Sequence, residues 1–188
     1  PPPRGGPGGD GVRHTLIASV KDQPGVLVRV MGMFRRRAFN VESLTVGHSE
    51  TEGVSRMTFV VDTSRVASRI VEANLRKLVP VLDVHDVTHV PTVARELALI
   101  RVRCAEGERS QVNDLISIFR ARIVDVAADT VIVEITGDPE KVDGLVDLLR
   151  PRGIVEMVRT GKVAMTRGAS ARALGTEHDD ADPLELAS

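Results

Sequence analysis

The sequence predicts an α+β protein built from two tandem βαββαβ units, and three observations carry that expectation. Strand and helix patterns alternate at short spacing from residue 13 to residue 168. The order strand, helix, strand, strand, helix, strand runs through twice. Phe34-Arg35-Arg36-Arg37 recurs as Phe119-Arg120-Ala121-Arg122 at an offset of 85, which also sets Asn40 opposite Asp125 and Val41 opposite Val126.

His14 to Val20 reads as a strand. Asp22-Gln23-Pro24-Gly25 is a turn that brings a proline to the first helical position. In the helix that follows, Val26, Leu27, Val30, Met33 and Phe34 make one apolar stripe, and Arg35, Arg36 and Arg37 crowd the C-terminal turn, as the helix dipole favours. Phe39 to Ser49 and Gly53 to Asp62 are rich in β-branched residues and read as a hairpin joined by Glu50-Thr51-Glu52. Thr63 or Ser64 caps a second helix whose buried face is expected from Val66, Ile70, Ala73, Leu75 and Leu78, and Pro80 ends it before a strand from Val81 to Val90.

The second unit repeats this order as strand 96–104, helix 109–121, strands 122–128 and 130–136, helix 139–149 and strand 153–166, with Asp138-Pro139-Glu140 a strong helix start. Each unit closes as a four-stranded antiparallel sheet with both helices on one face, the ferredoxin-like arrangement, which serves many unrelated functions. The open sheet faces and edges invite pairing between the halves or between chains, so an oligomer is expected. Residues 1–12, almost all Pro and Gly, and the small, acidic residues 169–188 read as disordered tails.

Composition narrows the function. With 42% hydrophobic and 27% charged residues, the 188-residue chain is globular. Residues 169–188 hold five acids against Arg172, leaving −4; the whole chain is −1 and residues 1–12 are neutral, so residues 13–168 carry only +3. That is far from the basic excess of a nucleic-acid binder, and four Phe with no Tyr or Trp leave little for base stacking. Cys104 is the one cysteine, a packing thiol in an apolar strand that excludes a disulfide framework. The apolar runs are too short to cross a bilayer, and the N-terminus lacks a signal-peptide core, so a reducing cytoplasm is expected.

No nucleophile with its base, no metal cluster and no cofactor loop is found, so the chain is not expected to be an enzyme by itself. His85 and His89 are four apart in an expected strand, about 13 Å along the chain, too far to share a metal. Gly5 to Gly9 follows no strand and opens no helix, so it is no phosphate loop.

The informative residues are Asp22-x-Pro24-Gly25-Val26-Leu27, where the first strand meets the first helix. A helix N-terminus offers unpaired N–H groups to a carboxylate, Gly25 lets a ligand approach the backbone, and Asp22 suits an ammonium. Both ends of an amino-acid zwitterion are provided for, although the same residues also make an ordinary turn and cap. At the offset of 85, Gly107 stands opposite Asp22 and Ser110 opposite Gly25, so the second unit lacks the constellation. Asn40, directly after the first helix, is expected to reach a ligand held at the Gly25 turn.

The stretch KDQPGVLVRVMGMFRRRAFNVESLTVGHSE (21–50) resembles the first ACT domain of acetohydroxyacid synthase (acetolactate synthase) small subunits. SRMTFVV (55–61), RELALIRV (95–102), FRARIVDV (119–126) and MTRG (165–168) resemble the same family, so the likeness covers about residues 13–168. The Asp-x-Pro-Gly turn alone is similar to many ACT domains; followed by Asn40-Val41-Glu42-Ser43-Leu44-Thr45 it is far more specific. The resemblance implies an effector-binding, dimerising ACT domain over 13–90 and an ACT-like domain over 91–168. It implies a homodimer of first domains side by side, holding valine or a related branched-chain amino acid between the first turn of one chain and elements of its neighbour. Its effector contacts fall on Asp22, Gly25 and Asn40, with Val26, Leu27 and Val41 packing nearby; some members carry Asn in place of Asp22. It further implies a regulatory role toward a catalytic large subunit that carries thiamine diphosphate, Mg and FAD, with no cofactor or metal in this chain. The alternative is a free-standing ACT-type sensor acting on another enzyme or on transcription.

Overall fold

The computed structural model describes residues 12–63 and 65–168. The expected tails beyond those limits, the capping role of Ser64 and the side chain of Val66 lie outside the described residues. The first unit comprises β1 (Val12–Lys21), α1 (Val26–Arg36), β2 (Asn40–His48), β3 (Val54–Thr63), α2 (Arg65–Arg76) and β4 (Val81–Asp86). The second comprises β5 (Thr92–Arg103), α3 (Arg109–Ile118), β6 (Arg122–Val126), β7 (Thr130–Gly137), α4 (Pro139–Leu149), β8 (Ile154–Arg159) and β9 (Val163–Thr166). Their sheets run β2-β3-β1-β4 and β6-β7-β5-β8 with every pairing antiparallel, the ferredoxin-like topology twice over.

Each core lies between a sheet and its two helices. In the first unit Leu16, Ala18 and Val20 of β1 alternate toward Val30, Met33 and Phe34 of α1, with the Phe34 and Phe59 rings 5.2 Å apart. Leu27, expected in that stripe, is 45% exposed. The turn differs in detail: Gly25, in the left-handed region at φ 84°, is the residue that precedes the helix, and Pro24 falls outside it. The last strand of the first unit stops at Asp86, so His89 lies in a turn and not in a strand.

The buried face of α2 is rotated from the expected one. Ser68, Val71 and Leu75 are within 1% of full burial, whereas Ile70 is 44% exposed and Ala73 is exposed. Ile70, Val71 and Ala73 crowd two helical faces, and only contact with β1 and β4 chooses between them. Val71→Ala is therefore expected to cost roughly 1.5–3 kcal/mol in chemical denaturation, with Ile70→Gln within about 0.5 of wild type. Equal losses would return Ile70 to the core.

Along the first strand, the end of the first helix and the bulged second strand, the two units correspond at an offset of 82, not 85. Val41/Ser43 and Ile123/Asp125 bracket the same bulge, around Glu42 and Val124. Ala38 and Arg120 share a positive φ, and Phe39 and Ala121 donate to the carbonyls of Phe34 and Ile116. The repeated Phe-Arg string therefore does not mark equivalent positions: Phe34 corresponds to Ile116, Asn40 to Arg122, Gly25 to Gly107 and Asp22 to Cys104. The second unit still lacks the carboxylate and the amide, and among the positive-φ residues Gly107 is absent.

The same correspondence along β1 and β5 pairs two buried titratable side chains. His14 is 1% exposed with Nδ1 2.9 Å from Asp86 Oδ2; at the matching place Glu96 is 6% exposed and accepts two bonds from Arg159, at 2.6 and 2.7 Å. Burial pushes the Asp86 carboxyl up, but the Thr88 hydroxyl and amide and His14 outweigh it and hold it below its usual value. A carboxylate depressed in the folded state contributes stability above its unfolded value of about 4, and that contribution is lost as pH falls through the folded value. Asp86→Asn should accordingly flatten the acid limb of the stability–pH curve below about pH 4. An unchanged slope there would remove Asp86 from the acid response.

The expected single strand 153–166 is broken. Thr160–Lys162 bulges out between β8 and β9, with Gly161 at φ 84°, while both strands stay on the same edge of β5. Beyond the break, Ala164 is buried with Ile17 and Val87 on the helix-free face of the first sheet, so the second unit covers the first.

Candidate functional site

The loop after β1 is built by backbone bonds at its base. Asp22 N–H donates to the Gly53 carbonyl at 2.7 Å, and Lys21 N–H to Pro80 at 2.8 Å, which ties the turn to the β2–β3 hairpin and to the start of β4. From that base Gln23 and Pro24 turn the chain and Gly25 delivers it into α1. An added Cβ at Gly25 would meet nothing within 4 Å, so the space above it is open. No side chain caps α1 and no acid stands in its first turn, which leaves the dipole uncompensated; the Val26 amide donates to the Gln23 carbonyl at 3.4 Å.

The hairpin adds a residue that sequence spacing does not reveal. His48, at the end of β2, sits with Nδ1 3.2 Å from Asp22 Oδ2, both side chains largely open to solvent. Twenty-six residues separate the two, and only the return of the hairpin to the turn joins them. An acid held by an imidazole beside uncapped amides presents both signs of charge within one small area, as an amino-acid zwitterion requires. Val26 is 5% exposed and lies under the turn as part of the core, and Leu27 stands beside it on the surface.

Asn40 and Val41 are not at this end of the molecule. Asn40 pairs with Asp62, and Asp62 with Arg13 at the start of β1, whereas Asp22 follows the end of β1. Eleven-residue α1 lies between, a distance of roughly 16 Å, so Asn40 does not reach a ligand at Gly25 of its own chain. The helix must run its length before β2 can begin, which puts any residue just after it at the far end. Val41 is partly buried against the first core, and Asn40 is exposed.

Both ends open on the same side of the molecule. α2 covers β4 and β1, which leaves α1 over the β2 side, and β2 is the outer strand of its sheet. Val28 of α1 is 75% exposed and Val46 of β2 is 48% exposed along that side. An unpaired strand edge next to exposed apolar residues is a surface that pairs readily. Among the described residues no group of His, Cys, Asp and Glu is arranged to hold a metal, and no helix is long and apolar enough to cross a membrane.

Comparison with known proteins agrees with this architecture. The family described as AHAS small subunit-like ACT domain matches residues 16–83, and the family described as small subunit of acetolactate synthase matches residues 95–168. The chain is 49% identical over 158 residues to a probable acetolactate synthase small subunit of Archaeoglobus fulgidus, covering 84% of this chain and 98% of that one. It is 43% identical over 168 residues to the acetolactate synthase small subunit of Bacillus subtilis, covering 86% and 95%. The crystal structure of the acetolactate synthase small subunit from Thermotoga maritima superposes with a TM-score of 0.78 at 38% identity, over 84% of this chain and 98% of that chain.

Proposed function

This chain belongs to the acetolactate synthase small-subunit family, and from that premise we propose that it activates the thiamine-dependent catalytic subunit and makes it sensitive to valine or a related branched-chain amino acid. The observation that carries the effector reading is the uncapped Gly25 turn with Asp22 and His48 beside it, present in the first unit alone. Effector and catalytic subunit are then two ligands of one protein, and feedback is the coupling free energy between them.

The distance between Gly25 and Asn40 supports an effector site shared between two chains. Pairing two copies through the β2 edge about a two-fold axis sets β2 antiparallel to its copy, and α1 likewise. The Gly25, Asp22 and His48 end of one protomer then meets the Asn40 end of the other, and each dimer holds two equivalent sites. Asn40, with two amide donors and one acceptor, supplies bonds to whichever end of the zwitterion faces it.

The test is reconstitution. The purified chain is added to the catalytic subunit with thiamine diphosphate, Mg and FAD, and acetolactate formation is followed with and without valine. The expected result is no turnover by the chain alone, higher turnover by the mixture, and a fall on adding valine. Turnover that stays with the isolated chain through repurification, or a mixture no faster than the catalytic subunit alone, refutes the proposal.

A further inference from the structure

We infer that the Thr160–Lys162 bulge, seated on Ser43 and Thr45, is the latch that passes effector occupancy from the first unit to the second. The inference rests on the reading of the first unit as the effector-binding one and adds the route by which it acts.

The catch is made by an irregularity in β2. Val41 pairs with Val61 and points to the helices, and plain alternation would send Ser43 the same way. The bulge at Glu42 reverses the phase. Ser43 is set opposite Val60 and Thr45 opposite Thr58, on the helix-free face, while Leu44 turns back to the core. Ser43 and Thr45 thus face the second unit because of a bulge two residues from Asn40.

The second unit meets them with main chain. Lys162 N–H donates to Ser43 Oγ at 3.0 Å, and Thr45 Oγ1 donates to the Lys162 carbonyl at 2.6 Å, so both backbone groups of one residue are held by one strand of the other unit. The Lys162 ammonium donates to Thr15 Oγ1 on β1 at 2.9 Å, and burial pushes its pKa down against the pull of Asp138. Gly161 must be glycine twice over, since its φ is 84° and a Cβ there would overlap Ser43 Oγ. On its other side the bulge is tied to β5, the central strand of the second sheet: Thr160 N–H donates to the Leu97 carbonyl at 3.0 Å, and Leu97 N–H to Thr160 Oγ1 at 3.1 Å.

A ligand that draws Asn40 and the start of β2 toward the dimer partner moves the Glu42 bulge, and the next residues along are those that hold Lys162. A packed interface transmits such a shift because its bonds have short reach and few alternative partners. Beside the latch lies a cleft of about 920 Å³ lined by both units, including Arg13, Glu42, Glu96 and Arg159.

The experiment uses the full-length dimer and its reconstituted complex, with Ser43→Ala/Thr45→Val and Gly161→Ala. Valine binding to the small subunit is read by calorimetry, and inhibition by acetolactate formation. Wild type is read first: if it neither binds valine nor activates, the function proposed above fails, and the latch with it. Given that control, the latch variants are expected to bind valine within about threefold of wild type and to activate fully, while maximal inhibition falls to less than about half. Gly161→Ala should do less harm in a Ser43→Ala background than its effect on wild type, because the overlap with Oγ is gone. Full inhibition in the Ser43/Thr45 double variant, or a loss of inhibition that only tracks a loss of valine affinity, overturns the latch. Thermal unfolding of each variant separates a lost signal from a lost fold.

Discussion

Mixing Gly25→Asp chains with Asn40→Ala chains is expected to restore an effector site that neither variant has alone. Alone, Asn40→Ala removes a hydrogen bond to a charged group, worth roughly 1.5–3 kcal/mol or about ten- to a hundredfold in affinity. Gly25→Asp costs more, since it places a negative charge where the ligand carboxylate meets the helix amides. If each site takes Gly25 from one chain and Asn40 from the other, a mixed dimer concentrates both lesions in one site and leaves the second intact. Random pairing makes about half the dimers mixed, so the preparation should recover about a quarter of the wild-type sites at wild-type affinity. A site formed within one chain gives no recovery, because every site would then carry one lesion. Arg122→Ala is the control, since Arg122 opens the strand after the first helix of the second unit as Asn40 does in the first; its effector affinity should be unchanged. Calorimetric titration of valine reads both number and affinity, and a mixture as insensitive as its parents would falsify the shared site.

Glu96→Ala is expected to cost roughly 2–4 kcal/mol of stability, because it leaves the Arg159 guanidinium without its bidentate partner. The Arg159 side chain is 27% exposed and keeps one bond to Asp143 at 2.6 Å, so the loss falls short of a fully stranded charge. Hydrogen bonding to Glu96 is the chief reason that the Arg159 pKa is held above its usual value, against burial, with Asp143 adding to it. Removing both members, as Glu96→Leu with Arg159→Met, should recover most of the loss, since an apolar pair of similar volume leaves no charge unpaired. Denaturant midpoints at constant m-value check both; a double variant as unstable as Glu96→Ala would show that the site needs the ions themselves.

The two-unit fold was legible in the sequence because it depends on neighbours along the chain. Alternation in His14 to Val20 and the helical spacing of Val30, Met33 and Phe34 are local, and each is dictated by a backbone period. The misreadings have one cause. In α2 the apolar residues served two faces, and the repeat was aligned on Phe-Arg strings that lie three residues, nearly one helical turn, from the true correspondence. Similar side chains at nearly the right period satisfy a pattern; only packing against a particular strand distinguishes them.

What the sequence by itself determined is therefore the architecture and the family, both of which are written in contiguous residues. Tertiary structure alone decided which residues share a place. His48 joins Asp22 because a hairpin returns to the turn, and Asn40 leaves Gly25 because an eleven-residue helix stands between them. Ser43 meets Lys162 because one extra residue in β2 reverses its facing. These contacts span separations of up to 119 residues and depend on register, where a shift of one residue exchanges the faces of a sheet. A linear pattern carries the period of a strand but not the phase in which it docks, because the phase is set by the packing energy of the whole assembled face.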